Sequence, residues 1–157
     1  MRTRRITDTE RRRIRRALPM RDRLITDIAY QTGLRISDIL ALPADLNSTK
    51  ITITEQKTDN VRTVHIRQKT LDECRKYAVT HSKNGLLFDV NRSTVYRSIH
   101  AAALHCGYQH ISAHSYRKAF AYAYYQKHGL RATQIELGHK HIETTCIYVF
   151  DLEEYKR

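Results

Sequence analysis

Six polar or basic side chains fall where turns and element ends present them to a shared surface: Arg35, Lys57, His114, Arg117, His139 and Tyr148. His114 and Arg117 are three residues apart, so on a helical start they project from one face. Two cationic groups on one face repel unless an anion sits between them, so the pair points to an anionic ligand. Lys57 falls at the tip of an expected hairpin, a lever that reaches into a bound ligand. The overall balance agrees: 28 Lys and Arg against 16 Asp and Glu give a net charge of +12, the signature of a protein that grips polyanions. That charge is polarised. Residues 1–23 hold ten Arg against Asp8, Glu10 and Asp22, which reads either as a phosphate-gripping arm or as a solvated basic face.

Composition excludes several classes. With 41% hydrophobic residues, 5 Gly and 2 Pro, the 157-residue chain is too apolar and too unbroken to be disordered or collagen-like, and its length suits one domain with one core. Its longest apolar stretches, such as Ile39 to Pro43 and Gly85 to Phe88, fall far short of the roughly 20 residues of a membrane span. No apolar run follows Met1-Arg2-Thr3-Arg4-Arg5, so no signal peptide is expected. Cys74, Cys106 and Cys146 fit neither a disulfide framework nor a metal site and read as small buried hydrophobes.

The elements that position the six side chains follow from capping and periodicity. Thr7-Asp8-Thr9-Glu10 has capping-box spacing, so an Arg-rich helix starts there and ends near Leu18-Pro19. Leu24, Ile25, Ile28 and Ala29 mark a second helix closed by Gly33, and a helix resumes through Ile36, Ile39 and Leu40. Lys50 to Glu55 and Val61 to Ile66 alternate apolar with polar residues around the turn Thr58-Asp59-Asn60, which predicts a β-hairpin. Leu71, Cys74, Tyr77 and Ala78 predict a fourth helix, and Val95, Ile99, Ala102 and Ala103 a fifth after a Ser93 cap. Ser112 to His128 carries Tyr116, Phe120, Ala123 and Tyr124 on one stripe ending at Gly129; a shorter helix, Ala132 to Leu137, stops at Gly138. Glu143 to Tyr148 predicts one or two further turns. The expected fold class is α+β: a mostly helical single domain with a small antiparallel β-sheet.

In this order and context the residues resemble the tyrosine recombinases, or phage-type integrases, in their catalytic domain. Thr32-Gly33-Leu34-Arg35-Ile36-Ser37-Asp38 is similar to the family's first arginine motif, and Gln56-Lys57-Thr58 to its β-turn lysine. His114-Ser115-Tyr116-Arg117 resembles the His-x-x-Arg motif, Leu137-Gly138-His139 the Leu-Gly-His motif, and Thr144-Thr145-Cys146-Ile147-Tyr148 the nucleophile motif. The resemblance spans 1–157 as a single catalytic domain with the Arg-rich segment 1–23 at its start. It implies site-specific cleavage and rejoining of DNA through a 3′-phosphotyrosine, for integration, excision or inversion, with no metal and no cofactor.

That chemistry explains the residue types. Negative charge gathers on the nonbridging oxygens as a nucleophile attacks the phosphodiester in line. The forked donors of Arg35 and Arg117 can hold those oxygens bidentately in place of magnesium. A tyrosine with a reference pKa of about 10 is roughly a thousandth phenolate at pH 7, so Tyr148 needs a base, for which His114 is placed. By the resemblance, Lys57 protonates the leaving 5′ oxygen and His139 hydrogen-bonds a phosphate oxygen. Asp38 is expected to buttress a helix or a basic side chain; Tyr155 and His141 compete with Tyr148 and His139 but lack their motif contexts.

The sequence also departs from the family pattern. Lys118 stands where His commonly follows the second arginine, and Tyr116 where Leu is usual. Only about 20 residues precede the expected catalytic core, where typical members carry a helical core-binding domain. The chain resembles the short fimbrial phase-switch invertases in this, and Arg2, Arg4, Arg5, Arg11 and Arg12 are the DNA-binding candidates that stand in for the clamp. Nine residues after Tyr148 are scarcely enough for the C-terminal helix that family members donate to a neighbour. Expected partners are double-stranded DNA, further copies of the chain on that DNA and an accessory DNA-bending protein, in the cytoplasm and nucleoid, with no membrane. Two other readings stay open: a DNA-binding regulator or excision helper, and a nicking-closing enzyme similar to type IB topoisomerases.

Overall fold

Ile6, Ile14 and Leu18 are all buried, which seats the Arg-rich segment on the core as a packed helix rather than as a free arm. In this computed structural model, residues 3–151 are described. Helix α1 (Asp8–Ala17) begins at the expected capping box, the Thr7 hydroxyl accepting from the Glu10 amide and the Glu10 carboxylate from the Thr7 amide. Helix α2 (Met20–Thr32) buries Leu24, Ile25, Ile28 and Ala29, and short α3 (Ile36–Leu40) follows. Gly33 closes α2 at φ 64°, and a Cβ there would lie 2.3 Å from Phe120 Cδ1. Conformation and space thus both demand glycine immediately before Leu34-Arg35.

Strands β1 (Lys50–Thr54) and β2 (Val61–His65) form the antiparallel hairpin, with Thr52 opposite Thr63. Helices α4 (Gln68–His81) and α5 (Arg92–His105) bury the predicted stripes, except that Ala78 is half-buried. The cap of α5 is Asn91, whose side chain accepts from the Thr94 amide at 2.8 Å, and not Ser93. Either residue type can cap, and the chain's entry angle decides which one does. Helix α6 (Ala113–Leu137) breaks its helical geometry at Gly129 (φ 78°, ψ 173°), where the sequence placed the division. Its predicted stripe runs out halfway: Tyr116 is buried, Ala123 exposed and Tyr124 half-buried, because the helix leaves the core after Ala121. Helix α7 (Ile142–Phe150) packs on α6, and α2 lies against α3, α4 and α6. Cys74 is buried, and burial pushes its thiol up to about 12; Cys106 and Cys146 are only half-buried, against expectation.

Candidate active site

A cleft of about 710 Å³ opens among α3, the β1–β2 loop, α5, α6 and α7, and its lining includes Arg35, Lys57, His114, Arg117 and Tyr148. His139 lines the adjoining cavity with Lys57 and Gly138. All six predicted side chains therefore gather on one side of the molecule, although 113 positions separate the first from the last. Each stands at an element boundary: Arg35 caps α3, Lys57 lies in the hairpin loop, His114 and Arg117 occupy the first turn and a half of α6, His139 follows its end, and Tyr148 sits late in α7.

Arg117 is 2% exposed, and its guanidinium donates to the carbonyl of Gly33 and, at 2.8 Å, to that of Leu137. Both carbonyls lie at helix C-termini, where the peptide dipoles leave negative charge. The residues that end α2 and α6 thus orient the buried cation. Burial followed by the positive charges of Arg35 and Arg62 draws Arg117 down to about 10, still charged at neutral pH, and its Nε has no partner among the described residues. His114 and Arg117 line the same cleft from one end of α6, but at different depths. His114 is exposed while Arg117 is buried on backbone oxygens.

The Tyr148 ring stands edge-on between two imidazoles, with centroids 4.7 Å from His114 at 72° and 4.7 Å from His139 at 66°. Its hydroxyl is 3.5 Å from His114 Nδ1, a long contact of the kind that tightens when substrate binds. The Arg117 guanidinium carbon lies 5.9 Å from the same ring. Burial raises the Tyr148 phenol above its ordinary value, while the charges of Arg117 and Arg35 pull against that rise. His139 is pushed down to about 3, first by burial and then by Arg117 and Arg35, and is neutral at physiological pH. Its Nδ1 pairs with Thr145 Oγ1 at 3.0 Å, and its Nε2 faces Arg117 Nη2 at 3.5 Å.

Sequence reasoning missed the centre of this arrangement. Glu55 is fully buried and accepts from Arg35 (2.8 Å), Thr58 Oγ1 (2.6 Å) and Arg62 (2.9 Å), and Arg62 also reaches Glu136 at 3.0 Å. The signal was present in the alternation: Ile51, Ile53 and Glu55 share one face of the hairpin, as do Arg62, Val64 and Ile66. A carboxylate and a guanidinium thus continue the buried rows. Gly138 keeps this carboxylate accessible to its partners, since a Cβ at its φ of 63° would lie 3.0 Å from Glu55 Oε2. Asp38, expected to buttress a helix or a basic side chain, instead accepts from the Gln56 amide at 3.0 Å through its Oδ1 and anchors the loop beside Lys57. Arg92, Ser93, Tyr96 and Arg97 of α5 line the same cleft and were also missed.

The N-terminal arginines are engaged elsewhere. Arg4 donates to both Glu10 oxygens at 2.6 and 3.0 Å, Arg11 and Arg12 pair with Asp8, and Arg5 lies over Tyr122. None of these lines the cleft. Arg2 and the competing Tyr155 lie outside the described residues.

The sequence profile of the phage integrase family matches residues 3–154. The "Probable integrase/recombinase YoeC" of Bacillus subtilis is 30% identical over 139 residues, covering 82% of this chain and 77% of that protein. The tyrosine recombinase XerA of Saccharolobus solfataricus is 30% identical over 133 residues, covering 82% of this chain and 45% of that protein. Among solved structures, a XerA recombinase gives a TM-score of 0.78 at 24% identity over 98% of this chain and 62% of that one. A lambda integrase tetramer bound to a Holliday junction gives 0.78 at 20% identity over 100% and 51%. At these identities the structural likenesses carry the fold. The chain spans about three quarters of YoeC but only 45–51% of the tyrosine recombinases it matches, such as that of Pseudothermotoga lettingae at 51%. The profile over nearly its whole length, with relatives at 30% identity, establishes that this chain belongs to the phage integrase family, the tyrosine recombinases.

Proposed function

We propose that this chain is the catalytic domain of a site-specific DNA recombinase that cleaves and rejoins DNA through Tyr148. The observation that carries the reading is the convergence of Tyr148, His114, Arg35, Arg117 and Lys57 on one cleft, with the Tyr148 hydroxyl 3.5 Å from His114 Nδ1. In this scheme a DNA phosphate docks between Arg35 and Arg117, whose donors stabilise the charge that grows on its nonbridging oxygens. Tyr148 Oη attacks phosphorus and yields its proton to His114. The P–O5′ bond breaks in line, and the leaving 5′ oxygen takes a proton from Lys57, whose ammonium has no partner among the described residues. The 3′-phosphotyrosyl bond conserves the energy of the broken ester, so a 5′ hydroxyl from another strand can reverse the step without ATP. With Thr145 Oγ1 donating to its Nδ1, neutral His139 carries its proton on Nε2 and can donate it to a phosphate oxygen.

Double-stranded DNA and further copies of the chain are the proposed partners. Support comes from relatives of the same fold: XerH bound to its difH substrate, and the lambda integrase tetramer on a Holliday junction. A phosphate between Arg35 and Arg117 would compete with Glu55 for Arg35, while Arg62 would remain on the carboxylate. Incubation in EDTA with nicked duplexes covering the DNA that flanks its own gene tests the proposal. A protein–DNA band on a denaturing gel, lost in Tyr148→Phe, supports it. Tight binding without such a band favours a regulator, and an adduct without exchange between two duplexes favours a nicking-closing enzyme.

A further inference from the structure

Lys118 departs from the family pattern and takes no part in the cleft. It is 8% exposed, and its ammonium donates to the Thr3 carbonyl at 2.8 Å and to Asp151 Oδ1 at 2.6 Å. Asp151 is the residue that closes α7, in the left-handed region at φ 53°, and its other oxygen accepts from the Arg5 amide at 3.1 Å. Arg5 in turn donates to the Val149 carbonyl at 3.3 Å and lies 3.6 Å over the Tyr122 ring of α6. The end of α7 is therefore fastened to α6 and to the segment Thr3–Arg5 at once.

We infer that Lys118 is a positioning residue for Tyr148, acting through Asp151. Tyr148 precedes Asp151 by three residues, less than one helical turn, so fixing the end of α7 fixes the register and depth of the phenol. Arg117 and Lys118 are adjacent on α6 and about 100° apart around its axis, so one points into the cleft and the other to the end of α7. One rigid turn of helix sets the spacing between the group that holds the phosphate and the helix that carries the attacking oxygen. A salt bridge at this depth is directional, and removing the lysine leaves Asp151 without its nearest cation. The inference rests on the reading of Tyr148 as nucleophile for its effect on cleavage, whereas the fastening of α7 is independent of it.

The test combines hydrogen–deuterium exchange of the full chain with the rate of adduct formation on nicked duplexes, using Lys118→Met, Lys118→Arg and Asp151→Asn. Asn keeps the left-handed conformation but loses the charge. Lys118→Met is expected to speed exchange of the α7 amides about tenfold relative to those of α2, and to slow adduct formation by a similar factor with DNA affinity in gel shift unchanged. Asp151→Asn gives the same pattern, weaker, and Lys118→Arg retains most of the wild-type behaviour. Asp151, 35% exposed at its side chain, keeps the test open should Lys118→Met fail to fold. Unchanged α7 exchange in Asp151→Asn, or exchange raised equally in α2 and α7, overturns the inference. A wild-type chain that forms no adduct would refute the nucleophile reading alone, and the exchange arm would still decide whether Lys118 fastens α7.

Discussion

Replacing Glu55 by Gln tests whether one buried carboxylate organises the cleft. Burial alone would push this carboxyl up, yet hydrogen bonds from Thr58, Arg62 and Arg35 more than reverse that, so it is held below its ordinary value. Gln keeps one acceptor oxygen and turns an NH2 group toward either the Arg35–Thr58 side or the Arg62 side, setting donor against donor. Breaking a buried ion pair by removing one partner costs about 3–5 kcal/mol. Arg35, with 21% of its side chain exposed, recovers part of this from solvent, and Arg62 keeps Glu136. A net loss of about 2–4 kcal/mol follows, or roughly 5–15 °C in Tm for a domain of this size. Thermal unfolding by circular dichroism at pH 7 measures it directly. A shift below about 2 °C would refute the claim that Glu55 is the hub, because ordinary surface changes stay within about 0.5 kcal/mol.

Three further outcomes are expected. Gly33→Ala forces a Cβ to 2.3 Å from Phe120 at a left-handed φ, and should cost roughly 2–4 kcal/mol in urea unfolding while weakening the carbonyl that holds Arg117. Lys57→Ala, at an exposed loop tip, should leave Tm unchanged but slow adduct formation by about 100-fold or more; a substrate with sulfur in place of the leaving 5′ oxygen should recover the rate, since a thiolate leaves without a proton. Acid should destabilise the fold in two stages. His139, depressed to about 3, stays neutral while the unfolded chain takes up its proton near pH 6.5, so its contribution is lost as pH falls from there toward 3. Glu10, held at about 2 chiefly by Arg4, loses its contribution below pH 4.5. Melting curves from pH 8 to pH 3 measure both, and His139→Gln should flatten the limb between pH 6.5 and 4.5.

What the sequence made legible was local. The Thr7 capping box, the glycines that end α2 and α6, and the period of the hairpin each depend on residues within a few positions of one another, and each formed as read. The six site residues were legible by a different route, because their order and contexts matched a family and the fold then brought them together. Long-range pairing was not legible. Glu55 with Arg35, Arg117 on the Gly33 carbonyl, and Lys118 with Asp151 join residues from 20 to 84 positions apart. Charge counts likewise missed that Glu10, Asp8 and Asp27 hold much of the N-terminal arginine cluster, since the sum over a segment says nothing about which acid meets which base.

Identifying the residue that carries the DNA is the most direct test of the account. After reaction with a nicked duplex in EDTA, nuclease trimming and proteolysis, mass spectrometry should find a 3′-phosphonucleotide on the peptide that contains Tyr148, and on no other tyrosine. A nucleotide on Tyr155 or on any other side chain would contradict the assignment on which the mechanism stands.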